Sequence, residues 1–180
     1  MSIPNLITLS RLLSVPLIIY LILNESYGWA FALFLLAGAS DALDGYIAKA
    51  LDQTTTLGVY LDPLADKALI VSVYVTLGMR GLIDDFVVIL VVFRDVLIVG
   101  GVLLLLVLRR HWEARPVLAS KVNTGVQIFL AAAVLAEAAA AIAIEGAIEL
   151  VQYAVIATTV GSGGWYLVAW ARKVAGADTR

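Results

Sequence analysis

Long apolar stretches separated by short polar turns run through the whole chain of 180 residues. A helix of roughly 20 apolar residues is long enough to cross a bilayer. The pattern predicts six helices, at about residues 7–23, 27–51, 57–79, 86–108, 121–144 and 147–170. The polar connections include residues 52–56 and a longer charged segment, 109–120. We therefore predict an all-α fold: an integral membrane bundle of six transmembrane helices that forms a single domain over residues 1–180.

The composition agrees with a membrane protein and excludes several kinds of site. The chain is 62% hydrophobic with a mean hydropathy of +0.99, whereas a soluble domain is roughly half apolar. A net charge of −2 argues against a nucleic acid partner. The chain has no cysteine and a single histidine, His111, which excludes thiolate chemistry and a histidine-rich metal cluster.

Basic residues are concentrated at one side of the predicted bundle. They are Lys49, Arg109, Arg110, Arg115, Lys121, Arg172, Lys173 and Arg180. The opposite turns carry Arg80 among several acidic residues. The positive-inside rule then places both termini, residues 52–56 and residues 109–120 in the cytoplasm. Since the N-terminus has neither a signal-peptide nor a transit-peptide pattern, we expect a multi-pass protein of a bacterial inner membrane.

Four aspartates lie inside the predicted spans, Asp41 and Asp44 on the second helix and Asp62 and Asp66 on the third. An ionised carboxylate in a bilayer costs about 2.5–3.5 kcal/mol on insertion scales, so the four need a shared partner. Their spacing of three and four residues puts each pair on one face of its helix. Two packed helices would then direct all four carboxylates into one cavity that opens toward the cytoplasm.

This set of oxygen ligands suits hard cations such as Mg²⁺ or Mn²⁺. Four carboxylates around two such ions form a clamp for displacement at phosphorus. Gly45 and Gly58 leave the same helix faces open to a flat base or a phosphate. The alternative is an ion or proton transporter that uses the aspartates as a relay. A transporter, however, has no need of glycines and a cation at these offsets.

The spacing of these residues resembles the motif of the CDP-alcohol phosphotransferase family. The motif reads Asp41, two residues, Asp44-Gly45, two residues, Ala48-Lys49, eight residues, Gly58, three residues, Asp62, three residues, Asp66. Seven of its eight fixed positions match in this chain. The departure is Lys49, where the family has arginine. A lysine keeps the charge but loses the planar fork, so we expect weaker nucleotide binding.

The resemblance implies a role for each motif residue. Two divalent cations, Mg²⁺ or Mn²⁺, would be held by four carboxylates: Asp41, Asp44 and Asp62 would hold one ion, and Asp41, Asp62 and Asp66 the other. Asp66 would also be the catalytic general base on the acceptor hydroxyl. The CDP group would be bound by four further residues, Asn5, Gly45, Lys49 and Thr55. The implied reaction is attack of an alcohol on the β-phosphorus with CMP leaving, carried out by a homodimer.

The donor and the acceptor are suggested by the lipid setting and by two further segments. A cavity among membrane spans suits a lipid donor, CDP-diacylglycerol. The segments Phe93-Arg94-Asp95-Val96 and Ser120-Lys121-Val122-Asn123-Thr124 resemble those of CMP-forming cardiolipin synthases. Phosphatidylglycerophosphate synthases usually have a second lysine where this chain has Asn123. One fewer cation favours the monoanionic diester phosphatidylglycerol over the near-dianionic glycerol 3-phosphate.

We therefore predict transfer of a phosphatidyl group from CDP-diacylglycerol to phosphatidylglycerol, giving cardiolipin and CMP. The alternative is phosphatidylglycerophosphate synthesis with glycerol 3-phosphate as the acceptor. The candidate acceptor-binding residues are Arg94, Arg115 and Lys121. Other interpretations stay open: Arg115 as a topology signal, and a buried structural pair of Lys67 with Asp95 beside Arg94.

Overall fold

The computed structural model describes residues 3–50, 56–107, 118–140 and 146–174, and it describes side chains for residues 8–40, 65–101, 118–140 and 146–168. These parts of the chain form six α-helices and no strand. They are α1 (Ile3–Leu23), α2 (Tyr27–Ala50), α3 (Thr56–Met79), α4 (Asp85–Val107), α5 (Leu118–Ala140) and α6 (Ala147–Val174). The prediction of an all-α fold with six helices is confirmed.

Two helix starts differ from the prediction in ways that matter for the site. Helix α1 begins at Ile3, with Pro4 in its first turn, where a proline is tolerated because that N–H would be unpaired anyway. Helix α5 begins at Leu118, so Ser120 belongs to the helix and not to the polar connection. The segment 120–124 therefore presents its side chains with helical periodicity.

The described residues divide into two compact units. The first comprises Met1–Ile83 and Ala131–Glu145. In this unit α1 packs against both α2 and α3. Its core is built from apolar side chains that recur every three or four residues, the spacing of one helix face. They include Ile18, Ile22, Phe34, Ile70, Val73, Tyr74 and Leu77.

The second unit comprises Asp84–Leu130 and Gly146–Arg180, and in it α4 packs against α6. Its buried apolar side chains include Val87, Val91, Leu130, Val155 and Tyr166. Asp84 caps the N-terminus of α4, since its carboxylate accepts a hydrogen bond from the Phe86 N–H at 2.8 Å. The Asp84 N–H donates to Gln152 Oε1 of α6 at 3.0 Å. The start of α4 is thus fixed to α6.

The turn after α3 is closed by a glycine. Gly81 has φ +68°, the left-handed region that glycine adopts without steric cost. The Leu82 N–H bonds to the Leu77 carbonyl at 3.0 Å and the Gly81 N–H to the Gly78 carbonyl at 2.8 Å. This is a Schellman C-cap, which satisfies carbonyls that the helix end leaves unpaired.

Arg80 precedes that turn, at the side where the sequence predicts few basic residues. Its guanidinium donates a hydrogen bond to the Glu25 carboxylate in the turn after α1. Hydrogen bonding to Tyr27 and to Glu25 raises the pKa of Arg80 above its ordinary value. The basic residue at this end of the first unit is therefore matched by an acidic one.

Apolar and polar side chains are distributed differently from those of a water-soluble protein. Large apolar side chains are exposed along the helices, including Leu13, Tyr20, Trp29, Leu36, Phe93 and Phe129. Several strongly polar ones are buried, namely Arg11, Arg94, Asp95, Asn123 and Gln127. Within the described residues, α5 is the one helix that is long and apolar enough to cross a membrane by length and composition. The six membrane crossings therefore stay a prediction.

Candidate active site

The backbone places the four predicted metal ligands on two helices. Asp41 and Asp44 lie on α2, and Asp62 and Asp66 lie four residues apart on one face of α3. Of these four side chains, the structure describes that of Asp66. The grouping of all four carboxylates stays a prediction.

The side chains of all four predicted donor-binding residues lie outside the part of the chain that the structure describes. Asn5 lies on α1, and Gly45 and Lys49 lie on α2, but their side chains are outside the described residues. Thr55 and the predicted acceptor residue Arg115 lie outside the described residues altogether. Binding of CDP by these positions therefore rests on the motif.

Asp66 is held by an arginine from another helix. Arg11 Nη1 on α1 donates a hydrogen bond to Asp66 Oδ1 on α3 at 2.5 Å. The Arg11 side chain is 1% exposed, whereas that of Asp66 is 38% exposed. A short charge-assisted bond between an arginine and a carboxylate restricts the orientation of both groups. Asp66 is thus anchored from the buried side and accessible from the other.

Arg11 contacts the proposed base, although the sequence prediction gave this arginine no role. Its contact with Asp66 joins residues 55 positions apart, so no local pattern indicates it. The sequence does place this arginine, a charged residue, inside the first predicted span. Burying a charge in a membrane costs free energy, so charged residues in spans usually have a function. Thr8, one turn earlier on α1, is buried as well.

The described part of the site fits a divalent cation by its donor chemistry. A carboxylate that already contacts one cation and remains partly exposed can also ligate a hard metal ion. Position 62 lies on the same face of α3 as Asp66, which suits a ligand set contributed by one helix turn. Asp66 alone suits a hard cation such as Mg²⁺ or Mn²⁺. Within the described residues no group of three or more His, Cys, Asp or Glu side chains could hold a metal ion, so the two-ion site stays a prediction.

A second polar cluster lies in the second unit, centred on Arg94 of α4. Its Nη1 donates to Asp95 Oδ1 at 2.7 Å, and its Nη2 donates to Ser120 Oγ of α5 and to Ser162 Oγ of α6, both at 2.7 Å. Arg94 and Asp95 are each 3% exposed. Arg94 Nε has no hydrogen-bond partner among the described residues. One guanidinium thus connects three helices and keeps a donor for a further group.

These contacts can be compared with the two roles considered for the Arg94 region, a buried structural pair and binding of the acceptor phosphate. Asp95 accepts a hydrogen bond from the adjacent Arg94, a buried pair that the sequence prediction did not name. The role of Arg94 toward an acceptor phosphate is not tested by these contacts and stays a prediction, as does the pair of Lys67 with Asp95. The predicted acceptor residue Lys121 is exposed on α5.

Asn123 lies one helical turn after Ser120, on the buried face of α5. Asn123 Oδ1 accepts hydrogen bonds from the hydroxyls of Thr158 and Thr159 of α6, both at 2.9 Å. Its side chain is fully buried, and so is that of Gln127 one turn later. Asn123 Nδ2 has no hydrogen-bond partner within the described parts of the chain. The position that the sequence singled out for acceptor choice is therefore an uncharged, buried amide.

Comparison with known proteins places this arrangement in a family. The CDP-alcohol phosphatidyltransferase family model matches residues 1–165. A CDP-diacylglycerol–glycerol-3-phosphate 3-phosphatidyltransferase of Oryza sativa subsp. japonica is 38% identical over 152 residues, covering 75% of this chain and 46% of the relative. A cardiolipin synthase (CMP-forming) of Rattus norvegicus is 37% identical over 151 residues, covering 75% and 50%.

A third relative is a cardiolipin synthase (CMP-forming) and mitochondrial hydrolase fusion protein of Schizosaccharomyces pombe. It is 35% identical over 182 residues, covering 93% of this chain and 31% of the relative. The chain thus spans half or less of the length of these three relatives. The family match, in contrast, extends over most of the chain and includes the helices that carry the four aspartates. The chain belongs to the CDP-alcohol phosphatidyltransferase family.

Proposed function

We propose that this protein synthesises cardiolipin by transferring a phosphatidyl group from CDP-diacylglycerol to phosphatidylglycerol, with release of CMP. The type of reaction is inferred from membership of the CDP-alcohol phosphatidyltransferase family. The rat and fission yeast relatives are named as CMP-forming cardiolipin synthases, which favours this product. The proposal names both substrates, since the family match alone specifies neither.

Enzymes of this family generally depend on divalent metal ions. In this chain two ions would be held by Asp41, Asp44, Asp62 and Asp66. Bound there, they would neutralise the diphosphate and stabilise the negative charge that passes to the leaving CMP. Asn5, Gly45, Lys49 and Thr55 would bind the CDP group of the donor.

Asp66 would take the proton from the attacking hydroxyl of phosphatidylglycerol. The new bond joins that hydroxyl oxygen to the β-phosphorus of CDP-diacylglycerol, and the bond from this phosphorus to the bridging oxygen breaks. CMP leaves with the bonding electrons, and the proton passes to Asp66. Arg11 would restrict Asp66 to one orientation, because a buried guanidinium contacts its Oδ1 at 2.5 Å. A general base in a fixed position is effective at proton removal.

The uncharged Asn123 supports phosphatidylglycerol as the acceptor. A phosphodiester carries one negative charge, whereas glycerol 3-phosphate carries nearly two, which a second cation would help to bind. The amide of Asn123 is fully buried, so a dianion beside it would not be compensated by water. Arg94, Arg115 and Lys121 would supply the positive charge for the diester.

A second candidate function is phosphatidylglycerophosphate synthesis. The rice relative is named as a glycerol-3-phosphate 3-phosphatidyltransferase, and its identity to this chain is as high as that of the cardiolipin synthases. The two reactions share the donor, the metal ions and the leaving group. They differ in the acceptor alone, so one assay separates them.

We also propose a membrane environment, an oligomeric state and an orientation for the protein. Exposed apolar and buried charged side chains favour a lipid environment around the helices. We propose a six-span homodimer in a bacterial inner membrane, with both termini and the active site facing the cytoplasm. The orientation rests on the positive-inside rule, because the basic residues are concentrated at the predicted inner side.

The test is a parallel assay of the purified protein with CDP-diacylglycerol and Mn²⁺ or Mg²⁺. Phosphatidylglycerol, glycerol 3-phosphate and other alcohols are offered separately, and the lipid products are identified by mass. We expect cardiolipin and CMP in equal amounts with phosphatidylglycerol. Phosphatidylglycerophosphate from glycerol 3-phosphate, with no cardiolipin, would establish the second candidate. A transporter would give neither product and no thermal stabilisation by CDP with Mg²⁺.

A further inference from the structure

Asn123 of α5 forms a small buried cluster with two consecutive threonines of α6. Both hydroxyls lie 2.9 Å from Asn123 Oδ1. Asn123 and Thr159 are almost completely buried, at 0% and 1% exposure, whereas Thr158 is partly exposed. The cluster thus has one fully enclosed hydroxyl and one at its edge.

The two threonines are not equivalent as hydrogen-bond donors. Each hydroxyl has a single proton. The Thr158 hydroxyl also lies 2.8 Å from the Ala154 carbonyl and 3.2 Å from that of Val155, so backbone acceptors compete for its proton. The Thr159 hydroxyl donates a hydrogen bond to Asn123 Oδ1. Thr159 is therefore the threonine whose hydroxyl proton is donated to the Asn123 amide oxygen.

The orientation of the amide decides what it presents to a ligand. With Oδ1 accepting the hydrogen bond from Thr159, Nδ2 has no partner among the described residues. A buried amide N–H₂ without a partner is unfavourable, and such groups are rare unless a ligand or water accepts the bond. The reverse orientation would turn a carbonyl oxygen to the same place and would repel an anion.

We propose that Thr159 is a positioning residue for the acceptor. It holds Asn123 so that Nδ2 donates to a phosphoryl oxygen of the acceptor's head group. This inference rests on the proposed function for the existence of a phosphate-bearing acceptor. An uncharged donor suits a monoanionic phosphodiester, since it adds a hydrogen bond without a second cation.

The test compares wild type with Thr159→Val, Thr159→Ser and the matched control Thr158→Val. Valine has the shape of threonine without the hydroxyl. We expect Thr159→Val to raise the KM for the acceptor about 5- to 10-fold, as for loss of one hydrogen bond. The kcat and the KM for CDP-diacylglycerol should stay near wild type. Thr159→Ser should restore the acceptor KM, and Thr158→Val should change it by less than about 2-fold.

A second readout does not require turnover. Short-chain phosphatidylglycerol and glycerol 3-phosphate are titrated separately in detergent, and the stabilisation against thermal unfolding gives the affinity of each. Thr159→Val should weaken whichever phosphate stabilises the wild type, and Thr158→Val should not. Stabilisation by glycerol 3-phosphate alone would refute phosphatidylglycerol as the acceptor and leave the role of Thr159 standing.

Three outcomes would overturn the inference. One is an unchanged acceptor affinity in Thr159→Val, and another is an equal effect of Thr158→Val. The third is a wild-type protein that neither phosphate stabilises. A fall in kcat and in both affinities together, with a lower unfolding temperature, would show that Thr159 has a structural role and would equally refute positioning.

Discussion

Arg11 Nη1 lies 2.5 Å from Asp66 Oδ1, so the residue proposed as general base is in contact with a buried guanidinium of another helix. The arginine is almost completely enclosed, and the carboxylate is partly exposed. This contact fixes the carboxylate relative to α1. It also gives α1 a direct part in the proposed chemistry.

The first prediction concerns Arg11. Arg11→Gln should lower kcat by about 10- to 100-fold, because the carboxylate of Asp66 loses the group that orients it. Arg11→Lys should retain more activity, since it keeps the charge but loses the planar geometry. Steady-state kinetics with CDP-diacylglycerol and phosphatidylglycerol would measure both. Arg80→Gln is the matched control, because Arg80 forms an exposed pair with Glu25. An Arg11→Gln enzyme as active as that control would refute the orienting role.

Asp66 itself gives the second prediction. Asp66→Asn should reduce kcat by about 10²–10⁴-fold, the usual cost of removing a general base. Loss of a metal ligand would add to this effect, while the affinity for CDP-diacylglycerol should fall much less. Single-turnover rates and binding of the donor would separate the two quantities. Near-normal turnover in the variant would remove Asp66 from the catalytic residues.

The third prediction is strict dependence on a divalent metal. Chelation with EDTA should abolish turnover, and added Mg²⁺ or Mn²⁺ should restore it. Asp41→Asn and Asp62→Asn should each abolish activity, because the family motif assigns both carboxylates to both ions. The measurement is CMP release as a function of free metal concentration. Full activity in the presence of EDTA would contradict the two-metal proposal.

Stability provides the fourth prediction, at the buried pair of Arg94 and Asp95. Asp95→Asn should lower the free energy of unfolding by about 3–5 kcal/mol, because it leaves the buried guanidinium without its charged partner. Equilibrium unfolding in detergent would measure the loss. The control is Glu25→Gln, whose partner Arg80 is exposed and keeps its hydration. Equal stability of the two variants would show that the Arg94–Asp95 pair contributes little.

The sequence by itself determined the helices and the family of the chain. Each predicted helix overlaps one observed helix, because apolar length and polar turns are local properties of the chain. The family could also be assigned from the sequence, because the motif between Asp41 and Asp66 depends on residue types and spacing alone. Helix ends were less predictable: Ser120 belongs to α5, although the polar pattern suggested a connecting segment.

Only the tertiary structure decided which polar side chains meet. Arg11 contacts Asp66 across 55 residues, and Asn123 contacts Thr159 across 36. Such pairs depend on how helices pack against each other, and the periodicity of one helix does not specify its partner. In an apolar surrounding each buried polar group needs a partner, so packing selects the pairs that satisfy most of them. The sequence therefore predicted the carboxylates of the motif, and the fold showed which residues contact Asp66 and Asn123.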